Sequence, residues 1–503
     1  MLPGTAPRVQ NSFGRTWPAD TACHEPHTMN APAPPRESGS LLAGITRIVG
    51  QAGVVTGPLL RERVCGFWDP SPLQAKALVR PQTTQEVSEV MALCHRAGQP
   101  VVTHGGLTGC VQGTATSNDE LVMSLERMTA IEEIDPIGRT LTAQAGAVLQ
   151  NVQQAAASQN LFLPLDLGAR GSCTIGGNVA TNAGGINVIR YGMMRDLVLG
   201  LEAVLADGTV VSSMNRMLKN NSGYDLKQLF IGSEGTLGIV TRVVLRLKEA
   251  VTSRDTVLVG LDTFASVTRL LKFLERELGG ALSAYEVMWG DYFRAVTEPG
   301  WHRAPMSRDY PYYVIAEANG SNSEADTARF LACLEAAVDE KLVVDAVIPK
   351  SDAERKAIWA IREDFEAVIQ AKPTFLYDVS LPIRCMDEYI ERVQGSLKRR
   401  WPEGQCHVIG HIGDGNLHLF VTPGEVDGSP RIEADNLHVE ADEEVYQPLS
   451  QFCGSVSAEH GIGLEKKRWL PNSRTPAEIQ LMRLLKKTLD PDNLLNRGKV
   501  LDA

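Results

Sequence analysis

The sequence lacks the features of a membrane-spanning or nucleic-acid-binding protein. Its 503 residues contain no run of about 18 apolar residues, so we expect no membrane span. Aspartate and glutamate outnumber lysine and arginine, 60 to 49, and the net charge of −11 argues against a nucleic-acid partner, which would favour a basic surface. Hydrophobic residues make up 43% of the chain and charged residues 22%, which is ordinary for a globular protein.

The sequence also lacks paired cysteines and a recognisable export signal. Its nine cysteines are scattered, odd in number and without CxxC spacing, a pattern typical of reduced thiols. The first 40 residues contain no apolar segment of a secretory signal, and acidic residues occur too early for a transit peptide. We therefore predict a cytoplasmic protein.

Composition predicts a tail, two domains and a C-terminal segment. Residues 1–40 are rich in proline, threonine, serine and glycine without apolar periodicity, so we expect a disordered tail, with Met29 as an alternative start. Because 503 residues exceed what one core supports, more than one domain is expected. We assign residues 73–250 to a glycine-rich α+β domain, residues 251–460 to a second domain with longer helices, and residues 461–503 to the C-terminal segment.

Local patterns predict the main elements of these domains. Apolar spacing indicates helices over residues 84–96, 263–278, 323–340, 352–371 and 477–489. Short Val/Ile/Leu-rich runs indicate strands at residues 101–102, 121–123, 141–143, 203–205, 239–241 and 312–315, and Asp207-Gly208 is typical of a hairpin turn. Two helix-plus-strand units in the second domain favour a ferredoxin-like antiparallel sheet covered by helices on one side.

The segment from His411 to His418 contains the strongest signal for a functional site. Asp414-Gly415 in its centre predicts a two-residue hairpin turn. That register pairs Gly413 with Asn416, Ile412 with Leu417 and His411 with His418. Directly opposed residues have Cβ atoms about 4.5–5.5 Å apart. Two imidazoles at that separation can bind one metal ion.

Three glycine-rich stretches indicate a site for a large, flat, anionic ligand. In the first, residues 101–109, a strand runs into glycines whose backbone N–H groups can bind a pyrophosphate, although an ordinary flexible loop is the alternative. The second, residues 164–185, allows close approach of the backbone and offers the side-chain amides of Asn178 and Asn182. The third, residues 232–241, ends in a strand whose backbone could bind an adenine.

In this order, the three stretches resemble the FAD-binding domain of the vanillyl-alcohol oxidase/p-cresol methylhydroxylase family. Residues 378–382, 411–418, 457–463 and 489–496 are similar to its D-2-hydroxyacid dehydrogenase branch, which contains D-lactate, glycolate and D-2-hydroxyglutarate dehydrogenases. The resemblance covers roughly residues 70–500. It implies an α+β fold, in which a two-subdomain FAD-binding domain of the p-cresol methylhydroxylase type precedes a ferredoxin-like antiparallel-sheet substrate domain and a C-terminal helical segment that returns to the flavin.

The resemblance implies a bound FAD. Some family members bond a histidine after the paired glycines to the flavin, but Leu107 stands at that place here and implies a non-covalent cofactor. His104, on the other side of the glycines, is then a loop residue near the flavin. The implied cofactor-binding residues are Gly105, Gly106, Leu107, Thr108, Gly109, Asp166, Gly168, Thr174, Gly176, Gly177, Asn178, Asn182, Gly184, Gly185, Gly238, Ile239, Val240 and Asn496.

The resemblance also implies a metal site at the predicted hairpin. His411, His418 and Glu459 match the metal ligands of the hydroxyglutarate-like members. Two imidazoles and one carboxylate suit Zn²⁺ or Mn²⁺, with a coordination position left open. Asp414 and Asn416 are expected to orient these ligands.

Two further residues are implied in catalysis. His460 is the candidate general base, because an imidazole can take the hydroxyl proton of a 2-hydroxyacid near neutral pH, while the metal polarises the oxygens and hydride leaves to flavin N5. Arg362 matches the arginine that pairs with the substrate carboxylate, although a surface salt bridge is the alternative. His407 falls on the same strand face and is a weaker ligand candidate.

Three positions depart from the hydroxyglutarate enzymes. Where those enzymes have a threonine, a lysine and an asparagine, this sequence has Glu366, Leu376 and Phe420. The groups expected to hold a second, distal carboxylate are therefore missing. This favours a smaller or more apolar 2-hydroxyacid.

The leading hypothesis is an FAD- and metal-dependent dehydrogenase that converts a small D-2-hydroxyacid, similar to lactate, glycolate or hydroxyglutarate, into the 2-oxo acid. An alkylglycerone-phosphate-synthase-like transferase on the same fold is the alternative, and a metal-dependent hydrolase with a merely structural glycine-rich part is a third hypothesis. The electron acceptor would be a quinone, a cytochrome or an electron-transfer flavoprotein. A homodimer is compatible with the sequence.

Overall fold

The computed structural model of the protein describes residues 38–370, 373–423 and 431–502, and the described residues from Gly39 onward form one compact unit. Its helices are α1 (Ser38–Val49), α2 (Pro58–Arg61), α3 (Thr84–Ala97), α4 (Leu149–Ala157), α5 (Ile175–Thr181), α6 (Val188–Tyr191), α7 (Met194–Leu197), α8 (Lys227–Phe230), α9 (Phe264–Leu278), α10 (Gly290–Val296), α11 (Ser323–Asp339), α12 (Asp352–Glu363), α13 (Met386–Arg400), α14 (Arg431–Tyr446) and α15 (Pro476–Leu489). Its strands are β1 (Val54–Val55), β2 (Ala77–Val79), β3 (Val101–His104), β4 (Leu121–Ser124), β5 (Ile131–Asp135), β6 (Thr140–Gln144), β7 (Leu161–Phe162), β8 (Val198–Val204), β9 (Val210–Ser213), β10 (Ile239–Arg246), β11 (Lys248–Glu249), β12 (Ser253–Leu261), β13 (Leu282–Trp289), β14 (Tyr312–Gly320), β15 (Asp345–Val347), β16 (Phe375–Ser380), β17 (Gln405–His411) and β18 (Asn416–Thr422).

The predicted tail falls almost entirely on residues 1–37, which lie outside the described residues. Helix α1 begins at Ser38, so it includes the last three residues of the predicted tail, 38–40. In the described part of the chain, no helix has the length and apolarity to cross a membrane.

Two sheets of the first half share one hydrophobic core with α3, α4 and α5. The first has the order β1-β2-β4-β3, with β4 parallel to both neighbours, and the second has the antiparallel order β5-β6-β10-β8-β9. The hairpin at Asp207-Gly208 forms as predicted, with Val204 opposite Val210. Helix α3 buries the stripe that its spacing predicts, namely Val87, Val90, Met91 and Cys94.

A seven-stranded antiparallel sheet dominates the second half, in the order β15-β12-β14-β13-β17-β18-β16. One face packs against α9, α11 and α13, and the other packs against α10 and α12. Our prediction of helices on one side only was therefore incomplete. Val257 and Leu258 are consecutive in β12 and both fully buried, so the sheet is apolar on both faces and needs cover on both.

Helix α12 is shorter than the predicted 352–371, part of which lies outside the described residues, and it ends at Glu363. Two contacts stabilise this earlier end. The Tyr292 hydroxyl lies 3.3 Å from the carbonyl oxygen of Arg362 and 3.5 Å from that of Asp364. The Asp364 carboxylate accepts from His302 Nε2 at 2.8 Å. Side chains distant in sequence thus satisfy the groups at the helix end, which local spacing does not reveal.

The C-terminal segment returns to the first core. Helix α15 begins in a capping box between Thr475 and Glu478 and ends before Asp490, as predicted. Beyond it, Leu495 is fully buried in the first core, and Asn496 N–H donates to the carbonyl oxygen of Val101 at 2.9 Å. The residues that follow the second sheet are therefore fixed beside strand β3, which leads into the first glycine-rich stretch.

Candidate active site

The predicted pairing of His411 with His418 is wrong, but the two side chains still meet. Residues Ile412–Asp414 form a 3₁₀ turn that closes on Gly415 at φ 90°, so the connection is longer than a two-residue hairpin. The pairs of Gly413 with Asn416 and of Ile412 with Leu417 are wrong for the same reason, and His418 lies opposite Ile409. A shift of two residues keeps every side chain on its face. The imidazole centroids are consequently 5.3 Å apart.

The segment after α14 brings the other predicted site residues to these histidines. Glu459 Oε1 lies 3.5 Å from His418 Nε2 and 4.0 Å from His411 Nε2. The ring of His460 is nearly parallel to that of His418, with centroids 5.6 Å apart and planes inclined by 22°. The predicted metal ligands and the predicted base therefore converge at one place.

Asp378 is the residue that holds this segment, and sequence analysis assigned it no role. It is fully buried on β16, opposite His418. Its Oδ2 accepts from the backbone N–H groups of Ala458, Glu459 and His460 at 3.1, 3.1 and 2.9 Å, and from the Ser457 hydroxyl at 3.2 Å. A charged residue within a strand whose neighbours are apolar was the signal that could have identified it.

Two further contacts complete the surroundings of the Asp378 carboxylate. Asn416 Nδ2 donates to its Oδ1 at 2.8 Å, and the buried Lys466 Nζ lies 3.5 Å from its Oδ2. Burial raises the pKa of Asp378, but the neighbouring His460, the charge of Lys466 and the hydrogen bonds from the backbone outweigh burial and hold that pKa well below its ordinary value. Asp378 is thus a buried carboxylate anion.

These contacts decide which groups are available to a metal. Ligand atoms of Asp378, His418, Glu459 and His460 lie within 4.8 Å of one another. The oxygens of Asp378 already accept hydrogen bonds from the protein, so we interpret this residue as positioning the others rather than as a ligand. His418 and Glu459, with His411 beside them, offer a donor set that fits a divalent cation.

Glu286 on β13 is the second residue that sequence analysis missed. Its side chain is almost completely buried, in a strand whose residues are all buried. Its Oε1 accepts from His411 Nδ1 at 2.7 Å, and its Oε2 accepts from Arg362 Nε at 3.0 Å. Because Nδ1 of His411 is hydrogen-bonded to the Glu286 carboxylate, the other ring nitrogen, Nε2, faces Glu459. Metal-binding histidines commonly have such a carboxylate partner on the nitrogen that does not bind the metal. A single glutamate within the apolar run LSAYEVMW was the available signal.

The charges of Glu286, His411 and Arg362 shift the pKa values of their neighbours. Burial lowers the pKa of His411, but the adjacent Glu286 carboxylate more than compensates and raises it to about 9. Burial raises the pKa of Glu286, and the charges of His411 and Arg362 bring it below the ordinary value of a glutamate. A cation bound at His411 Nε2 would therefore displace a proton.

Arg362 is a buried residue, so the alternative of a surface salt bridge is wrong. Only 8% of the residue is exposed, in the last turn of α12. Its Nη2 atom is buried and lies 2.9 Å from Glu286 Oε2, close enough for an ion pair. The geometry does not allow a hydrogen bond between these two atoms, so the N–H groups of Nη2 have no acceptor. A buried donor in this state is suited to a ligand oxygen.

The three glycine-rich stretches enclose one cleft. The predicted cofactor-binding residues that line it are Gly105, Thr174, Gly176, Gly177, Gly238, Ile239, Val240 and Asn496. The cleft is also lined by residues that were not predicted from the sequence, namely Thr103, Leu125, Ala145, Ala180, Glu234 and Gly235. The Thr103 hydroxyl is buried and has no hydrogen-bond partner, as expected of a group that faces a ligand. The cleft therefore fits a polar heterocyclic cofactor.

The remaining predicted cofactor-binding residues are not part of this lining. They are Gly106, Leu107, Thr108, Gly109, Asp166, Gly168, Asn178, Asn182, Gly184 and Gly185. A side chain at Gly106 or Gly185 would collide with backbone atoms of Ser172 or Asp166, so these glycines are required for packing of the chain. At Gly109 and Gly168, by contrast, a side chain would meet open space.

The polar side chains of the second and third stretches are largely occupied by the protein. Asn182 ends α5 in the left-handed conformation and its Oδ1 accepts from Arg195 N–H at 2.9 Å. Asn178 Nδ2 contacts Cys173 Sγ at 3.6 Å. Asn496 accepts from Thr103 N–H at 2.9 Å and donates to the carbonyl oxygen of Glu234 at 2.6 Å, which joins two walls of the cleft.

The other two predicted histidines lie in different surroundings. His104 lines the cleft, where its Nε2 lies 2.9 Å from the carbonyl oxygen of Thr114 and burial lowers its pKa to about 4. His407 lies at the opposite end of β17 from His411, with Nδ1 3.9 Å from Asp291 Oδ2. His407 is therefore not brought to the candidate metal site.

Comparison with known proteins accounts for both halves of this site. A family model described as an FAD binding domain matches residues 75–213, and one described as the C-terminal domain of FAD linked oxidases matches residues 251–500. Solved structures of an alkyldihydroxyacetonephosphate synthase and of p-cresol methylhydroxylase superpose with TM-scores of 0.70 each. They are 16% and 14% identical in sequence; the matches cover 93% and 92% of this chain and 87% and 97% of theirs. The fold is thus that of the FAD-binding oxidoreductases of the p-cresol methylhydroxylase type.

A relative with similar sequence shows to which branch of this family the chain belongs. The mitochondrial D-2-hydroxyglutarate dehydrogenase of Bos taurus is 40% identical over 430 residues, which are 85% of this chain and 77% of the relative. The chain belongs to the FAD-linked oxidase family, in its D-2-hydroxyacid dehydrogenase branch, and is an FAD-dependent D-2-hydroxyacid dehydrogenase. The word mitochondrial describes the relative, and the cytoplasmic location of this chain stays a prediction.

The role of Asp378 predicts a loss of stability in D378N. The substitution removes a buried anion and leaves Lys466 without its counter-charge, which should lower the free energy of unfolding by about 3 kcal/mol or more. Urea unfolding of the purified holoenzyme measures this. The control is D352N, whose carboxylate is 62% exposed and forms only solvent-accessible ion pairs, so its effect on stability should be much smaller than that of D378N.

The sign of the pH dependence follows from the lowered pKa of Asp378. A carboxyl with a pKa below that in the unfolded chain stabilises the fold above about pH 4, and this contribution is lost as the pH falls toward the folded-state pKa. The difference in stability between wild type and D378N should therefore shrink below about pH 4. A constant difference between pH 7 and pH 3 would contradict the assignment.

Proposed function

We propose that the protein oxidises a D-2-hydroxyacid to the 2-oxo acid with the help of a divalent metal held by His411, His418 and Glu459. The observation that supports this best is the convergence of Glu459, His460 and His418 with the Glu286–Arg362 pair on one face of the sheet. The electron acceptor, a homodimer and a cytoplasmic location stay predictions.

In the proposed reaction, His460 takes the proton of the substrate hydroxyl and Arg362 binds the substrate carboxylate through its Nη groups. Glu286 keeps the guanidinium and the His411 imidazole in place. Bound Zn²⁺ or Mn²⁺ would supply Lewis-acid polarisation of the hydroxyl and carboxylate oxygens. Bound FAD would supply the acceptor for the hydride that leaves C2.

The residues that would hold FAD are those that line the cleft, above all Thr103, Gly105, Thr174 and Gly177. Leu107 offers no nucleophile for a bond to the flavin, which supports a non-covalent cofactor. The glycines of the cleft allow the backbone to approach the ligand closely.

The substrate is proposed to be smaller or more apolar than hydroxyglutarate. Leu376 lies opposite Phe420, and these two residues are the strand neighbours of Asp378 and His418 on the same face. Glu366 lies in the 3₁₀ turn after α12 and is exposed. Apolar groups thus stand next to the site, where a second substrate carboxylate would need a cation or a hydrogen-bond donor.

The transferase and hydrolase alternatives gain no specific support. The synthase structure is only 16% identical, so its likeness concerns the fold. The hydrolase hypothesis treats the glycine-rich part as merely structural, and the match to an FAD-binding family argues against it.

Anaerobic flavin bleaching tests the proposed function. The yellow holoenzyme is mixed with a panel of D- and L-2-hydroxyacids, and the loss of the visible flavin absorbance is followed. Bleaching by D-lactate or a larger apolar D-isomer is expected, with the L-isomers inactive. A yellow protein that no hydroxyacid bleaches would revive the transferase hypothesis.

The role of His460 predicts a separation of cofactor binding from catalysis. H460A should keep the yellow colour but reduce the flavin slower by about 10²–10⁴-fold, because a general base typically contributes that much. Stopped-flow reduction measures the rate. The control is H95A, since His95 is a partly exposed residue on α3. Undiminished reduction in H460A would remove His460 from the role of base.

The role of His411 predicts a joint loss of metal and activity. H411A removes one ligand and leaves Glu286 without the imidazole that donates to it, so bound metal should fall well below one equivalent. Metal analysis of the dialysed protein, with FAD content as the internal reference, checks this. Full metal content with full FAD would refute the ligand assignment.

A further inference from the structure

A series of stacked aromatic rings leads from the candidate metal site to the surface. Phe420 is buried on β18, two residues from His418. Its ring stacks on that of Phe365 with 5.6 Å between centroids, and Phe365 stacks on Trp68 at 6.3 Å. Trp68 is 44% exposed to solvent, whereas Phe420 is 2% exposed. The series therefore runs from the interior to solvent.

Trp68 reaches this series from the N-terminal part of the chain. It follows Phe67, whose backbone N–H donates to the carbonyl oxygen of Leu107 at 2.9 Å, in the glycine-rich loop. A second hydrogen bond, from Gly66 N–H to the carbonyl oxygen of Asp69 at 3.0 Å, forms a turn over residues 66–69. Trp68 thus stands between the loop after β3 and the residues that follow α12.

Phe365 is fixed in the same region by the end of α12. The chain leaves the helix at Asp364, whose carboxylate is held by His302 at 2.8 Å. Phe365 then turns toward Phe420 and lies three residues after Arg362, the proposed carboxylate-binding residue. Arg362, which is proposed to bind the substrate carboxylate, is therefore close in the chain to the series of stacked rings.

We propose that Trp68, with Phe365, is a specificity-determining residue that contacts the side chain of the substrate. This inference rests on the proposed function, because it needs the hydroxyl at His460 and the carboxylate at Arg362. The substituent on C2 then meets Phe365 and Trp68, where an apolar group gains from removal from water. A carboxylate there would lose hydration against aromatic rings. The substrate class is a D-2-hydroxyacid with a branched aliphatic or aromatic side chain.

The test compares W68A with W68F and with the control I137A, which removes an apolar side chain that is 93% exposed. Phe67 is unsuitable as a control, because its ring contacts that of Trp68 edge-on with 5.2 Å between centroids. The probes are D-2-hydroxyisocaproate, D-lactate and D-2-hydroxyglutarate, measured by steady-state kinetics and by anaerobic flavin reduction. W68A should lower the ratio of kcat/KM for hydroxyisocaproate over lactate by about tenfold, mainly through KM, as expected for lost apolar contact. W68F should keep the ratio within about threefold, and I137A should keep the wild-type ratio. If W68A loses its FAD, W68L provides the same comparison.

The outcomes distinguish this inference from the function on which it rests. An unchanged ratio in W68A and W68L, or an equal loss in I137A, would overturn the role of Trp68. A wild-type enzyme that prefers hydroxyglutarate or lactate to hydroxyisocaproate would overturn the substrate class, although hydroxyacid oxidation would stand. If none of the three hydroxyacids reduces the flavin, the proposed function itself fails.

Discussion

The arrangement of the active site depends on the buried carboxylate of Asp378. A segment of four residues, 457–460, donates four hydrogen bonds to a single oxygen, and this brings Glu459 and His460 next to His418. Hydrogen bonds to an anion are shorter and stronger than neutral ones, and a buried anion without them would be costly. The position of the proposed base is therefore set by an electrostatic contact on a strand 82 residues earlier in the chain.

The other charged groups of the site follow the same principle of local compensation. Glu286 lies between His411 and Arg362, and Lys466 lies beside Asp378, so each buried charge has an opposite charge within hydrogen-bond or ion-pair distance. Removing one member would leave the other uncompensated. Glu286, Asp378 and His411 lie on strands β13, β16 and β17, Arg362 lies on helix α12, and Lys466 lies in the segment after α14. The site therefore joins elements that are distant from one another in the chain.

Local patterns predicted much of the fold but less of the geometry of the site. Helix α3 buries its predicted apolar stripe, and helix α15 begins at a capping box and ends before Asp490, so the positions of both helices were predicted correctly. The register at His418 depends on a 3₁₀ turn that replaces the expected two-residue turn, and it was predicted incorrectly. The end of α12 was also predicted incorrectly, because it depends on the hydroxyl of Tyr292, which is distant in the chain. The histidine pair survived the error because a shift of two residues preserves the strand face. Asp378 and Glu286 were missed because a positioning residue is recognised by its partners, which sequence spacing does not reveal.

The central claim is that a metal held at the two histidines and Glu459 assists removal of the hydroxyl proton by His460. The most direct measurement is the rate of anaerobic flavin reduction by the best D-2-hydroxyacid in protein depleted of metal by a chelator and then reloaded with Zn²⁺ or Mn²⁺. Depletion should leave FAD bound and slow reduction by about a hundredfold or more, because Lewis-acid stabilisation is worth several kcal/mol, and reloading should restore the rate. Equal rates in depleted and reloaded protein would contradict the claim.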